Sequence, residues 1–356
     1  MHVTGLSVHQ LELPLTTPYH LALGDVTEFE TIVVEANDGE GGAGFGEATV
    51  LTGYTAETIA QAWTVATTLA EEAVGLATED AIALFGKSFH AAPFTVTALT
   101  TALEMLEGHE VLYESGPVPL LALVNETEPA AIEREVEARI GAGYGTLKVK
   151  VGWEVAADLK RVAVIQKAVA GRAAIRIDAN QGYSQTDAIT FVSGLTPDGV
   201  ELVEQTCAAG DWEAAQAVHA VAEVPIMLDE SIYDLDDIDR AAELEAADYI
   251  KLKLMKAGGL TRLADGLQRI RDNGMKPVLG NGVASDLGCW MEACVARRAI
   301  DNAGEMNGYL KIPDQLLATP LVTEGGALLL GGDATPALNA AALAASAVRS
   351  ATFPAG

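Results

Sequence analysis

From residue 119 onward the chain repeats itself. Short apolar runs, "PLLALVN", "TLKVKV", "AAIRIDAN", "VELVEQ", "VPIMLDE", "DYIKLKL", "KPVLGNG" and "GEMNG", alternate with amphipathic helical stretches. From the second run on, their last charged or polar residues are Lys150, Asp178, Glu204, Asp229, Lys253, Asn281 and Glu305, spaced by 28, 26, 25, 24, 28 and 24 positions. Such a steady period is that of a strand followed by a helix, and eight such units are what a barrel of the (β/α)8 type requires. A doubly wound open sheet competes, but nothing in it calls for eight units at even spacing.

The rest of the chain reads differently. Residues 1–50 hold alternating runs such as "VTGLSVHQLELPL" and "TIVVEAND" and a turn-rich "DGEGGAGFGEA", and residues 57–113 turn helical. Strands followed by helices predict an α+β unit over 1–117, with "ESGPVP" as the boundary. The barrel is expected over 118–318, and 319–356, too short for a domain, is expected to pack back on the N-terminal unit.

With 50 Asp and Glu against 22 Lys and Arg, the net charge of −28 argues against a nucleic-acid partner or an anionic membrane surface. The three cysteines form no C-x-x-C pair, which points to a reducing, cytoplasmic setting. The N-terminus lacks the pattern of a signal peptide, and no charge-free apolar run is long enough to span a membrane. Only ten residues are lysine, yet "TLKVKVG" and "IKLKL" each place two of them two apart on a predicted strand, so both side chains share one face.

Barrel chemistry sits at the C-terminal ends of the strands. There Asp178, Glu204 and Asp229 fall on three adjacent strands, with Glu230 beside the last. One such acid is most simply a helix cap or an ion pair. Three at the same point of consecutive units would repel one another without a cation, and all-oxygen ligation selects a hard ion, with Mg2+ as the default. Lys148 and Lys150 lie on the second strand and Lys251 and Lys253 on the sixth, which face each other across the mouth. A lysine acts as a base only if its pKa falls well below ~10.4, and crowding by a second ammonium, a cation and burial all push it down. The alternative is a pair of structural lysine–carboxylate networks, for Lys251 in particular. The chemistry implied is removal of a proton next to a carboxylate, one lysine taking it and the opposite one returning it.

These segments, with "IRIDANQGY", "PIMLDES" and "IKLKLMKAGGL", resemble the enolase superfamily, specifically its muconate lactonizing enzyme subgroup, over nearly the whole chain. The resemblance implies a modified (β/α)7β TIM barrel with an N-terminal α+β capping domain and one Mg2+, Mn2+ being the alternative. It implies Asp178, Glu204 and Asp229 as metal ligands, Lys150 and Lys253 as acid and base, and Lys148 as a partner of the substrate carboxylate. Asn180 matches the D-x-N asparagine and Glu305 an acidic position on the last strand. Tyr19 and His20, in the loop 18–25, are expected over the site; Glu230, Lys251, Asn281 and Asn307 are expected to bind substrate or support the ligands. Three departures stand out: Thr206 replaces a proline, Lys251 is an additional lysine, and "EMN" replaces the D-x-D that dipeptide epimerases of the subgroup use to hold an ammonium. The expected function is a Mg2+-dependent racemase or epimerase of an N-substituted or cyclic amino acid, acting through a metal-stabilised enediolate. Cycloisomerisation of the muconate type and dehydration of the o-succinylbenzoate synthase or hydroxyproline dehydratase type use the same constellation. A metal-binding barrel without turnover is the alternative of a different class. The expected partner is a small carboxylate substrate, and a homo-oligomer, dimer or octamer, is implied by the family.

Overall fold

The computed structural model describes residues 1–21, 24–332 and 335–354, the side chains of 20, 21, 24 and 25 excepted. The chain begins with β1 (Gly5–Leu21), β2 (Gly24–Asn37) and β3 (Ala43–Thr49), followed by α1 (Ile59–Ala73), α2 (Thr78–Gly86) and α3 (Pro93–Leu106). The segment expected to be a boundary is itself a strand, β4 (Ser115–Pro119). Seven strand–helix units follow: β5 (Ala122–Val124) and α4 (Pro129–Gly141), β6 (Thr146–Lys150) and α5 (Val155–Val169), β7 (Ala174–Asp178) and α6 (Gln185–Gly194), β8 (Val200–Glu204) and α7 (Trp212–His219). They continue with β9 (Ile226–Leu228) and α8 (Leu235–Glu243), β10 (Tyr249–Leu252) and α9 (Leu260–Asp272), and β11 (Lys276–Leu279) and α10 (Asp286–Ala299). The chain ends with β12 (Thr323–Glu324), β13 (Ala327–Gly331), α11 (Ala340–Ser346) and β14 (Ala347–Pro354).

Strands β5 to β11 form one parallel sheet in sequence order. The eighth run, "GEMNG", is reduced to a bridge that closes the ring. Gly304 donates to Pro119 O and accepts from Leu121 N, both at 2.9 Å, while Glu305 N donates to Leu279 O at 3.1 Å. Glycines at both ends leave that run little to pack as a strand. The result is a (β/α)7β barrel whose strands alternate: Leu147 and Val149 face the outer helices, fully buried, while Lys148 and Lys150 face inward. Below the lysines the interior is filled by Leu202, Met227, Tyr249 and Val278.

The antiparallel sheet β14-β1-β2-β3 is a layer between the N-terminal helices and the barrel. Leu6, Val8, Ile32 and Val34 pack toward α1 and α3, whereas Leu11, Leu13, Phe29 and Val33 join the core shared with the barrel. Burial of both faces makes "TIVV" a continuous apolar run rather than an alternating one. Helix α3 lies directly on β3 because Gly44 and Gly46 carry no side chain. A Cβ at Gly46 would fall 1.9 Å from Ala98 O, and one at Gly44 2.1 Å from Ala102 O. Strand β14 pairs with β1, and β13 with β4. No helix among the described residues is long and apolar enough to cross a membrane.

Two buried carboxylates fasten the N-terminal layer to the barrel by capping its helices. Glu47 of β3 accepts from Ser285 N at 2.8 Å and Gly288 N at 2.6 Å, at the start of α10, and from the Ser285 hydroxyl. Glu104 of α3 accepts from Leu260 N at 2.5 Å and Thr261 N at 2.9 Å, at the start of α9. A helix start has unpaired N–H groups and a positive dipole end, so a carboxylate there satisfies both. Removing Glu47 leaves two buried N–H groups unpaired. Glu47→Ala is therefore expected to lower the unfolding free energy by about 2–4 kcal/mol in urea titrations, whereas Glu223→Ala, at an exposed carboxylate, shifts the midpoint hardly at all.

Candidate active site

The inward residues at the C-terminal ends of β6 to β10 and of the closing bridge meet in one buried layer of charge. Lys148 Nζ lies 2.9 Å from Asp178 Oδ2, 2.9 Å from Glu204 Oε2 and 2.9 Å from Glu305 Oε2. Lys251 mirrors it from the other side, 3.1 Å from Glu204 Oε1, 2.5 Å from Glu305 Oε2 and 3.6 Å from Asp229 Oδ2. Both lysines are almost wholly buried, at 1% and 3% exposure. One turn of the pleat higher, Lys150 Nζ pairs with Asp178 Oδ2 at 2.6 Å and with Asn180 Oδ1, and Lys253 Nζ pairs with Asp229 Oδ2 at 2.8 Å. The arrangement is close to symmetric: Lys150 with Asp178 on one side, Lys253 with Asp229 on the other, Glu204 between. All of these residues but Glu204 line a cavity of about 320 Å3.

Burial opposes charge on Lys148, but Asp178, Glu204 and Glu305 outweigh it and hold its pKa well above the usual lysine value. The same balance raises Lys251, through Glu204 and Glu305, and Lys253, through Asp229 and Glu230. The expected downward push on paired lysines is thus reversed at these three, because each is ringed by carboxylates rather than crowded mainly by its neighbouring ammonium. For Lys148 and Lys251 the network reading describes what is seen. Burial also resists ionisation of Asp178, yet Lys148 and Lys150 pull its pKa down to about 2. Glu204 differs: burial and the adjacent Asp178 raise it, and its Oε2 makes no hydrogen bond despite the nearby Lys148 ammonium.

Asp178, Glu204 and Asp229 form a three-carboxylate, all-oxygen donor set on adjacent strands, and Glu204 carries a buried oxygen without a hydrogen bond. This chemistry fits a hard divalent cation. Among the described residues no three acids are spaced to hold an ion as they stand, and lysine ammonium groups lie against their oxygens.

The other expected residues fall into place unevenly. Asn180 donates from Nδ2 to Glu230 Oε1 at 3.1 Å, and burial, with Asp229 adding, pushes the Glu230 pKa up to about 7. Asn180 and Gln205 adopt left-handed backbone, at φ 42° and 39°, in the turns that leave β7 and β8. Asn281 borders the cavity but uses its Oδ1 to accept from Val283 N at 2.9 Å. Asn307 borders a neighbouring cavity, and its Oδ1 accepts from Lys311 Nζ at 3.1 Å. Tyr19 reaches the cavity from the β1–β2 hairpin. His20 lies outside the residues whose side chains are described.

Sequence reasoning missed three side chains. Tyr54, in the loop after β3, accepts from Lys253 Nζ at 2.9 Å and donates to Asp229 Oδ1 at 2.7 Å, and its ring centre is 4.2 Å from the same ammonium. Nothing local marks it, because it acts on a strand some 200 positions away. Lys256, visible in "KLMK", is buried 4.7 Å from the centre of the Tyr54 ring and donates to Ile232 O at 2.8 Å. Burial, which Asp229 only partly opposes, brings its pKa down to about 8. Gln205 joins two of the carboxylate-bearing strand ends: its Oε1 accepts from Asp229 N at 3.0 Å and Ser231 N at 3.2 Å.

Comparison with known proteins agrees with this geometry. The chain is 30% identical over 278 residues to the L-Ala-D/L-Glu epimerase of Clostridium acetobutylicum, covering 73% of this chain and 76% of that one. It is 26% identical over 274 residues to the N-succinyl-L-Arg/Lys racemase of Bacillus cereus, covering 73% and 74%. The crystal structure of the dipeptide epimerase from Enterococcus faecalis V583, complexed with Mg and L-Leu-L-Tyr, superposes with a TM-score of 0.85 at 25% identity over 93% of this chain and 97% of that one. Residues 131–333, more than half of the chain, match the family described as enolase C-terminal domain-like, and the protein belongs to that family, as a mandelate racemase/muconate lactonizing enzyme-like member of the enolase superfamily.

Proposed function

We propose that this protein is a Mg2+-dependent racemase or epimerase that removes and returns the proton alpha to the carboxylate of an amino-acid derivative. The observation that carries this reading is the pair of ammonium groups, Lys150 and Lys253, on opposite sides of a cavity lined by Asp178 and Asp229, with Glu204 buried between them. Two groups on opposite faces of a carbon suit proton removal from one side and delivery from the other. The relatives' activities on dipeptides and an N-succinyl amino acid support an N-substituted substrate.

Asp178, Glu204 and Asp229 would hold the metal. Bound there, it would supply positive charge that stabilises the charge developing on the substrate carboxylate and lowers the proton affinity of nearby lysines. Lys148 and Lys251 hold the carboxylate set from below, and Lys148 borders the cavity as a fixed positive charge. Lys150 and Lys253 move the proton at their Nζ atoms. Asn180 orients Lys150 through its Oδ1, and Tyr54 orients Lys253 through its hydroxyl and ring.

Proton exchange into D2O, followed by NMR with a panel of N-acyl amino acids and dipeptides in the presence of Mg2+, tests this directly. Exchange with loss of optical rotation is expected, falling about 10²–10⁴-fold in Lys150→Ala or Lys253→Ala. Net consumption of substrate would instead favour elimination or cycloisomerisation, and no exchange with any carboxylate would favour a binding protein. Mg2+ is expected to raise the thermal unfolding midpoint of the wild type but not of Asp229→Asn. Tyr54→Phe keeps the ring and removes both hydroxyl contacts, so kcat should fall about tenfold with KM little changed.

A further inference from the structure

A second cavity, of about 950 Å3, opens beside the reaction cavity, and Tyr19, Lys150 and Asn180 border both. Among the described residues four of its lining side chains are cations, Arg139, Lys150, Arg161 and Lys311, and none is a carboxylate, although Lys150 is paired with Asp178 behind the wall. The chain carries 50 acidic residues against 22 Lys and Arg, so this wall is the inverse of the molecule's general charge. Among the described residues Arg161 donates only to backbone carbonyls, those of Val124, Glu126 and Lys150, while Arg139 pairs through Nη2 with Glu135 Oε1 at 3.3 Å and its Nε is buried without a partner.

Lys311 is placed at the seam. Its Nζ donates to Gly282 O at 2.8 Å and Asn307 Oδ1 at 3.1 Å, and lies 4.5 Å from the centre of the Tyr19 ring. Both acceptors are neutral, so among the described residues its charge has no carboxylate partner, and one of its three donors stays free. Gly282 borders the reaction cavity. A Cβ there would lie 3.1 Å from Tyr19 Oη, 3.4 Å from Lys311 Nζ and 3.5 Å from Glu305 Oε1. The absence of a side chain at Gly282 thus brings the Lys311 ammonium next to the reaction cavity. Trp153 and Leu310, 75% and 49% exposed, give the larger cavity an apolar strip.

We propose that the larger cavity receives a second carboxylate of the substrate, distal to the reacting one, and that Lys311 recognises it. This rests on the proton-transfer reading of the site and narrows it to a dianionic amino-acid derivative. Its hydrocarbon linker lies along the apolar strip while the reacting carboxylate stays at the lysine–carboxylate layer. An ammonium paired only with neutral acceptors gains a charge-assisted hydrogen bond when such a group arrives.

Matched substrates that differ only in the distal charge test it: N-succinyl against N-acetyl amino acids, and L-Ala-L-Glu against L-Ala-L-Gln, assayed by proton exchange into D2O with Mg2+. The wild type is expected to favour the dianionic member of at least one pair by about ten- to a hundredfold in kcat/KM, the range of one hydrogen bond to a charged group. Lys311→Met should collapse that ratio while Lys311→Arg largely keeps it, with thermal melts confirming that both variants fold. Equal rates for the two members of every pair, or a ratio that survives in Lys311→Met, would overturn the role of Lys311 and leave the racemase reading standing. No exchange with any member of the wider carboxylate panel would sink both.

Discussion

The structure depends on a buried exchange of charge between four lysines and four carboxylates. Lys148, Lys150, Lys251 and Lys253 are matched by Asp178, Glu204, Asp229 and Glu305, so the layer is neutral as a whole although each member is buried or nearly so. Isolated charges at this depth would be prohibitively costly, and removing one partner strands the other. The layer therefore fixes the positions of the strand ends that carry it. A divalent cation bound among these carboxylates would leave two positive charges in excess, which an anionic ligand would offset.

The same device, a buried carboxylate meeting a positive partner, joins the two halves of the molecule. Glu47 and Glu104 meet helix starts rather than lysines, yet the logic is that of the barrel mouth. Docking the N-terminal layer in this way brings Tyr54 onto Lys253 and Asp229 and Tyr19 onto the edge of the cavity. The site is thus completed by residues from a unit that supplies none of its strands. Lys150 and Lys253 come from the barrel, whereas Tyr54, which touches Lys253, and Tyr19, at the edge of the cavity, come from the cover.

Much of this was legible before the structure. The 24–28-residue period named the barrel, because a strand, a helix and two short turns consume about that many residues. Asp178, Glu204 and Asp229 could be placed together because parallel strands in register bring equivalent ends to one rim. The pairs in "TLKVK" and "IKLK" read as inward-facing because a strand alternates with period two. The split between Lys148 and Lys251 below and Lys150 and Lys253 above was only half legible. Spacing gives the two levels, but which lysine meets which carboxylate depends on the stagger between strands.

What the sequence determined by itself was everything with a short or regular period: the barrel, the rim, the identity of the charged residues upon it, and the family. Tertiary structure decided what has no period. It set the upward shift of the Lys148, Lys251 and Lys253 pKa values, because carboxylates from four separate elements surround them. It placed Tyr54 against a lysine some 200 positions away, because the N-terminal sheet is docked by carboxylates on helix starts. It also gathered Arg139, Arg161 and Lys311 around one cavity, although nothing in their spacing relates them. Local geometry can be read along a chain, whereas the field at a buried atom is the sum over every charge folded near it.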